Sequence, residues 1–495
     1  MTTLLWRRSV LEYARRPLNL ILLVAVPVIF VTLSAGALAD FADILGGLAD
    51  LGTVEAATAG WAAAVLAGVA AFFHVSASRD ADRRLAHAGA GPARVVAARL
   101  ASSLTLALFA AAGGLIALAL RTGIADVPRV VGATVLFAVI YVGLGTLVGA
   151  LVRNETNGSL IVVFAWMFDV FFGPAMGRSG GITVLFPLHF PTQVITDVAS
   201  GHAGPLSDLG IALAWGLGAL ALAAVVLART TRASATATAR LPASLSRIAG
   251  ALRYGFRDYR RNTVLWILLV GLPIVFITLS IATTPADPAV VRLVESGQSS
   301  LQVLSMDDLH GAIMVPITIG FLAGLAGLFV VLGSTDGDRR LALCGYRPRE
   351  LLAARAGVIG FAALLTTAVA LAVTAISFTP ERWLTFALAN ILVALTYAGM
   401  GVIAGVLAGR LGGLYLMLLL PFIDIGLAQN AMFDAAPPGW GRVLPGHGAI
   451  RVLLDGAFTT TFDQTGALLL ALAWLAAITA ASFAVFHRLA SPRTT

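Results

Sequence analysis

Residues Leu23–Ser34 read LVAVPVIFVTLS, and residues Leu269–Ser280 read LVGLPIVFITLS. Both copies are apolar, and both carry proline at the same place (Pro27, Pro273). The correspondence continues outward. Asp80-Ala81-Asp82-Arg83-Arg84-Leu85-Ala86 answers Asp336-Gly337-Asp338-Arg339-Arg340-Leu341-Ala342. In the same frame Gly89 pairs with Gly345, Pro92 with Pro348, and Ala97-Ala98-Arg99 with Ala353-Ala354-Arg355. Tyr141, Gly143, Gly145 and Gly149 fall opposite Tyr397, Gly399, Gly401 and Gly405. A repeat of nearly half the chain means that one unit was duplicated and fused. Two related halves are the plan of many transporters.

The 495 residues are 59% hydrophobic and only 12% charged, against roughly 25% charged in soluble domains. Many separate apolar runs reach about 20 residues, each long enough for a ~30 Å hydrocarbon core. The expected fold is therefore an all-α integral membrane protein. Spans are predicted at roughly 18–39, 57–77, 95–120, 129–152, 158–176 and 206–228 in the first half. In the second half they fall at roughly 263–283, 312–333, 351–377, 384–408, 412–430 and 465–487. All 33 basic residues are Arg, as a GC-rich genome would produce. With the N-terminus inside, only Arg121, Arg129, Arg178, Arg292, Arg382, Arg442 and Arg451 fall on the opposite side. That asymmetry predicts twelve spans with both termini cytoplasmic. The net charge of +8 is thus a topological signal, not a nucleic-acid footprint. The lone Cys344 excludes an internal disulfide and reads as cytoplasmic.

The first apolar run is not read as a cleaved leader, because its near-copy recurs in mid-chain. Before each copy lies a short basic amphipathic segment, Leu5 to Arg16 and Ile248 to Arg261, with an acid-Tyr pair (Glu12-Tyr13, Asp258-Tyr259). Each reads as an interfacial helix, Arg toward headgroups and Trp6 or Phe256 toward acyl chains. Residues 229–247, rich in Ala, Thr and Ser, read as a cytoplasmic linker. The organisation is a first six-helix repeat over 1–228, the linker, and a second repeat over 248–495, together a pseudo-dimer.

Several residues are candidates for function. The loop after each second span, Asp80–Pro92 and Asp336–Pro348, mixes charge with a Gly and a helix-starting Pro. It predicts a small helix lying against the membrane, suited to docking on a protein surface. Each fifth span holds one acid, Asp169 in VFAWMFDVFF and Asp424 in LLPFIDIGLA. An ionisable group in a span marks either a relay or substrate contact, or a carboxylate at the outer end, wetted by a vestibule or paired with Arg178. Phe186-Pro187-Leu188-His189 and Leu444-Pro445-Gly446-His447 share a P-x-H, with Asp197 and Asp455 eight residues beyond the His. These Pro-broken stretches predict outer re-entrant helices. Two lone His residues make no metal site. A chain without Lys cannot supply a P-loop lysine, and G-x-S-x-G, H-E-x-x-H and paired-Cys clusters are also absent. No enzyme is expected.

The interfacial Glu12-Tyr13 and Asp258-Tyr259 segments, the charged loop after each second span and the P-x-H segment before each last span occur twice in the same order. In this the whole chain resembles the permease subunits of ABC-2 type exporters, in the fused form of actinobacterial drug and polyketide-antibiotic efflux systems. The resemblance implies six spans per half in the plasma membrane of a prokaryote. It also implies a separate cytoplasmic ATPase, two copies per chain, which holds ATP-Mg while this chain holds no cofactor. It assigns coupling to residues 79–92 and 335–348, with Asp80, Asp82, Arg83, Arg84, Asp336, Asp338, Arg339 and Arg340 as the ATPase-coupling charges. The second and fifth spans would line the pathway and work by alternating access.

Candidate lining residues are Phe72, Phe73, Phe164, Trp166, Phe168 and Asp169, with Phe329, Tyr415, Phe422 and Asp424 in the second half. An aromatic cavity suits a hydrophobic or amphiphilic small molecule, whereas lipid contact or helix packing would equally use such rings. The second half also carries about ten extra residues in its first outer loop, around 284–311, with Glu295, Asp307 and Asp308. A proton-coupled secondary transporter using Asp169 or Asp424, and a non-transporting sensor subunit, remain open alternatives.

Overall fold

The computed structural model describes residues 2–15, 17–45, 51–176, 181–200, 205–232, 263–343 and 348–490. The interfacial segment at 248–261, most of the linker (233–247), Arg178, Cys344 and Gly345 lie outside them. So do the side chains of Asp197, Asp336, Arg339 and Arg340. The chain divides into two compact units, Met1–Ala239 and Arg240–Thr495.

In the first unit α1 (Thr2–Ala14) precedes α2 (Pro17–Ile44), α3 (Leu51–Leu85), α4 (Pro92–Arg121), α5 (Val127–Leu151) and α6 (Glu155–Phe171). Short α7 (His189–Ser200) and long α8 (Pro205–Arg232) complete it. Local sequence explains the boundaries. Gly89 (φ 95°) and Gly91 (φ 75°) take left-handed conformations that end the turn after α3, and Pro92 then starts α4. The Asp126 side chain accepts from Arg129 N at 3.2 Å to cap α5. Asn154 accepts from Asn157 N at 3.2 Å to cap α6.

The second unit runs α9 (Thr263–Thr283), strands β1 (Pro288–Glu295) and β2 (Gln298–Ser305), α10 (Met306–Leu343) and α11 (Pro348–Thr374). Then come α12 (Trp383–Pro421), a π-helical continuation (Phe422–Ala428), α13 (Gly446–Phe458) and α14 (Thr465–Ala490). Within each unit the α3-type and α5-type helices cross at glycines. A Cβ on Gly145 would overlap the carbonyl of Gly68, and one on Gly401 that of Gly324. This glycine-to-glycine crossing, present at equivalent places in both repeats, lets the backbones touch as packing between apolar helices requires. Around it in the first unit Ala63, Ala67, Ala71, Ala107, Ala111, Ala138 and Val142 form a core of small side chains.

Among the described residues ten helices are long and apolar enough to cross a membrane, five in each unit. The difference from the twelve predicted spans falls at the fifth of each half. Helix α6 has 17 residues, about 25 Å of rise. In the second unit the fourth and fifth predicted spans, 384–408 and 412–430, lie in one stretch from Trp383 to Ala428, which Gly409 (φ 69°, ψ −164°) breaks into two helical segments.

The fold is helical as expected, with one addition and one correction. The stretch around 284–311 is not an irregular loop: within it β1 and β2 pair antiparallel from Pro288↔Ser305 to Glu295↔Gln298. Ala289, Val291 and Leu293 are buried on alternate positions, the period of a half-buried strand. Ser296 (φ 53°) and Gly297 (φ 75°) form the two-residue left-handed turn favoured by hairpins. The charged stretch after the second span is not a separate helix on the membrane either. It is the end of α3, which stays helical to Leu85, and in the second unit the end of α10, helical to Leu343. No helix breaker precedes Gly89, and Asp80 pairs with Arg83 at i,i+3 (3.5 Å).

Candidate functional site

Asp169 and Asp424 are 3% and 4% exposed, and a carboxylate so placed must be met by donors. The two repeats meet it alike. Tyr141 on α5 donates its hydroxyl to Asp169 Oδ2 at 2.5 Å, and Tyr397 on α12 donates to Asp424 Oδ2 at 2.6 Å. The second donor is a backbone amide at the start of the short helix that follows. Leu188 N, just before α7, reaches Asp169 Oδ1 at 3.3 Å. Gly446 N, the first residue of α13, reaches Asp424 Oδ2 at 2.7 Å. An acceptor at a helix N-terminus satisfies an amide that has no intrahelical partner. Each acid thus ties three elements together: its own helix, the tyrosine helix and the short helix.

The second repeat adds a fourth group. Gln429 Nε2 lies 3.5 Å from Asp424 Oδ1 and 2.6 Å from the Gly441 carbonyl. His447, the His of the second P-x-H, contacts Gln429 Oε1 through Nδ1 at 2.9 Å. These acids are therefore not wetted by a vestibule, as one sequence reading held. The reason is geometric: the short helix folds back and brings its amide onto the carboxylate.

The charged helix ends form a second duplicated construction. Asp82 is 1% exposed, and Arg99 on α4 grips it with Nε (2.9 Å to Oδ2) and Nη2 (2.7 Å to Oδ1). Asp338, 5% exposed, is held by Arg355 Nη2 at 2.7 Å. Arg79 donates to the carbonyls of Gly149 and Val152 at the end of α5. Arg83 Nε donates to the Thr230 carbonyl of α8 at 3.1 Å. Cations at helix C-termini satisfy orphaned carbonyls and oppose the negative dipole end. Of the eight charges singled out in the sequence, Asp82, Asp338 and Arg83 face inward. Asp80 and Arg84 stand exposed.

The aromatic candidates are mostly engaged in packing. The Phe72 ring, 0% exposed, fills the space above Gly158 and meets Phe73 edge-on with centroids 5.0 Å apart. Trp166 Nε1 donates to the Trp61 carbonyl at 2.8 Å, and its ring meets Phe30 edge-on at 6.1 Å. Phe164, Phe329 and Tyr415 are buried, while Phe168 and Phe422 keep part of their rings exposed.

Sequence reasoning missed the roles of Tyr141, Tyr397, Arg99 and Arg355, although all four stood in the repeat alignment. Their signal was present: a polar residue kept at the same place in both halves of an otherwise apolar span. The amides of Leu188 and Gly446 left no sequence signal. Fold and site together define a multi-pass helical membrane protein whose chain divides into two compact units. No protein-family model and no curated protein matches the chain.

Proposed function

We propose that this chain is the membrane permease of an ABC exporter of the ABC-2 kind, moving hydrophobic or amphiphilic compounds out of a prokaryotic cell by alternating access. ATP is hydrolysed by a separate cytoplasmic ATPase, two copies per chain. The observation that carries this reading is the duplicated charged helix end. In both repeats a buried Asp–Arg pair fixes that end to the following helix. In the first repeat Asp80 and Arg84 project from it. A rigid projection with charges of both signs suits docking of a partner whose movement must be transmitted and not absorbed. ATP-driven closure of the ATPase pair draws on these ends, and the helices carrying them continue directly into the membrane. Asp169 and Asp424 act in this reading as latches on the short helices, since their oxygens are already engaged.

Gentle detergent purification with mass spectrometry of co-purifying soluble proteins is the test. A stoichiometric Walker-motif ATPase supports the exporter. Retention of none sends the function to proton-coupled transport through Asp169 and Asp424. An ATPase that binds without vectorial efflux makes the chain a sensor. Charge reversal of Arg84 and Arg340 together is expected to abolish substrate-stimulated ATP hydrolysis with membrane insertion intact; undiminished stimulation would sink the docking role.

A further inference from the structure

Arg99 does more than neutralise Asp82. Its remaining nitrogen, Nη1, donates to Ser9 Oγ on α1 at 3.0 Å and to His74 Nε2 at 3.3 Å. One guanidinium therefore joins the N-terminal amphipathic helix to the charged end of α3. A second hook lies one turn away, where Trp6 Nε1 donates to Thr105 Oγ1 on α4 at 3.0 Å. Ser9 is the buried residue of α1, while Leu4 and Leu11 remain 69% and 51% exposed. The helix is thus held to the bundle by polar hooks and presents apolar side chains outward, as a helix at a lipid interface does.

In the repeat frame the side chains that build these hooks are not repeated. Gly255 stands opposite Ser9 and Leu252 opposite Trp6. Val330 stands opposite His74 and Phe361 opposite Thr105. None of these side chains donates or accepts a hydrogen bond. Phe361 instead meets the ring of Trp266 on α9 edge-on at 6.2 Å.

We infer that Arg99 is a positioning residue that makes α1 and the charged end of α3 move as one body, and that the second repeat lacks this linkage. Taken with the proposed function, on which only its consequence rests, a partner acting on the first charged end also displaces a helix at the membrane surface. Its action on the second charged end stops at the bundle.

Hydrogen exchange of the full-length chain in detergent tests the linkage without any partner. Asp82→Asn weakens the grip that orients Arg99, so amide exchange is expected to accelerate about tenfold in residues 2–14 as well as in 80–90, the scale of one or two lost hydrogen bonds. Asp338→Asn is expected to accelerate exchange around 336–343 and leave 248–261 as it was. In a Trp6→Leu/Ser9→Gly background, which copies the second repeat and keeps the Asp82–Arg99 pair, Asp82→Asn should produce no further change in 2–14. Unchanged exchange in 2–14 on Asp82→Asn alone, or an equal response of 248–261 to Asp338→Asn, overturns the inference. Failure to recover an ATPase would remove the exporter reading and leave these exchange results standing.

Discussion

The two repeats keep the same two internal ties and differ at their opposite ends. Both lock a short helix with a buried Asp–Tyr pair, and both brace a charged helix end with a buried Asp–Arg pair. The first repeat adds hooks for α1 at the Arg-rich end. The second adds the β1–β2 hairpin at the other end. Its tip is fastened where Glu295 Oε1 accepts from the Thr460 hydroxyl at 2.8 Å, and where Ser296 N donates to Asp463 Oδ2 at 2.8 Å. Nearby Arg382 holds Asp455 and the Thr459 carbonyl. The shared ties are what each bundle needs to stand. The unshared ones fix a different end of each repeat, so duplicated units are expected to respond unequally to the same perturbation.

The severest challenge to the shared part is removal of the buried cation. Arg99→Leu and Arg355→Leu each strand a buried carboxylate, at a cost of about 3–5 kcal/mol. Thermal unfolding in detergent should show two large losses, the greater at Arg99, which also releases Ser9; a large loss in one repeat alone would break the equivalence.

Asp169→Ala and Asp424→Ala come next. Each orphans a buried hydroxyl and an amide, costing about 2–4 kcal/mol. The Asp424 variant should be the worse of the two, because Gln429 also loses an acceptor there. A reversed order in the same unfolding measurement would show that the added glutamine contributes nothing.

Gly145→Ala and Gly401→Ala force a methyl against a facing carbonyl. Overpacking of this kind costs about 1–3 kcal/mol and should be equal in the two repeats, as read by the denaturant midpoint.

The smallest effect belongs to the hairpin. Hydrogen bonds from Thr460 hold the Glu295 carboxyl below its ordinary range. The Thr461 hydroxyl, opposed by some desolvation and helped by the amides of Ser296 and Gly297, does the same for Asp463. A depressed folded-state pKa means that the unfolded chain binds more protons, so the tie is fully present above the usual carboxylate range of about 4 and is lost as pH falls below it. Proteolysis within 288–305 should therefore accelerate on acidification to about pH 3, and Glu295→Gln should flatten that dependence. A pH-independent cleavage rate would remove the latch.

Much of this was open to reading in the chain. The proline-bearing copies at 23–34 and 269–280 declare the duplication, and the glycine ridge at 143–149 and 399–405 marks where helices touch. The acids in the fifth apolar runs were conspicuous as residues but not as partners. Tyr141 lies 28 residues from Asp169, and Gly446 lies 22 from Asp424, too far for any local pattern to pair them. The charged motif misled in a different way. Its charge order suggested a small separate helix lying against the membrane, because sequence does not tell that Asp82 turns inward to an arginine 17 residues on.

By itself the sequence determined that this is a helical membrane protein with an internal sequence repeat, since hydrophobic run length and repetition are read directly along the chain. Only the tertiary structure decided which charges are spent internally, which short helix each buried acid holds, and that α1 and the hairpin are secured in different repeats. Those outcomes depend on backbone amides and side chains brought together across tens of residues. In an apolar bundle a polar group must find such a partner or pay for its absence, and where the chain meets itself is a property of the fold.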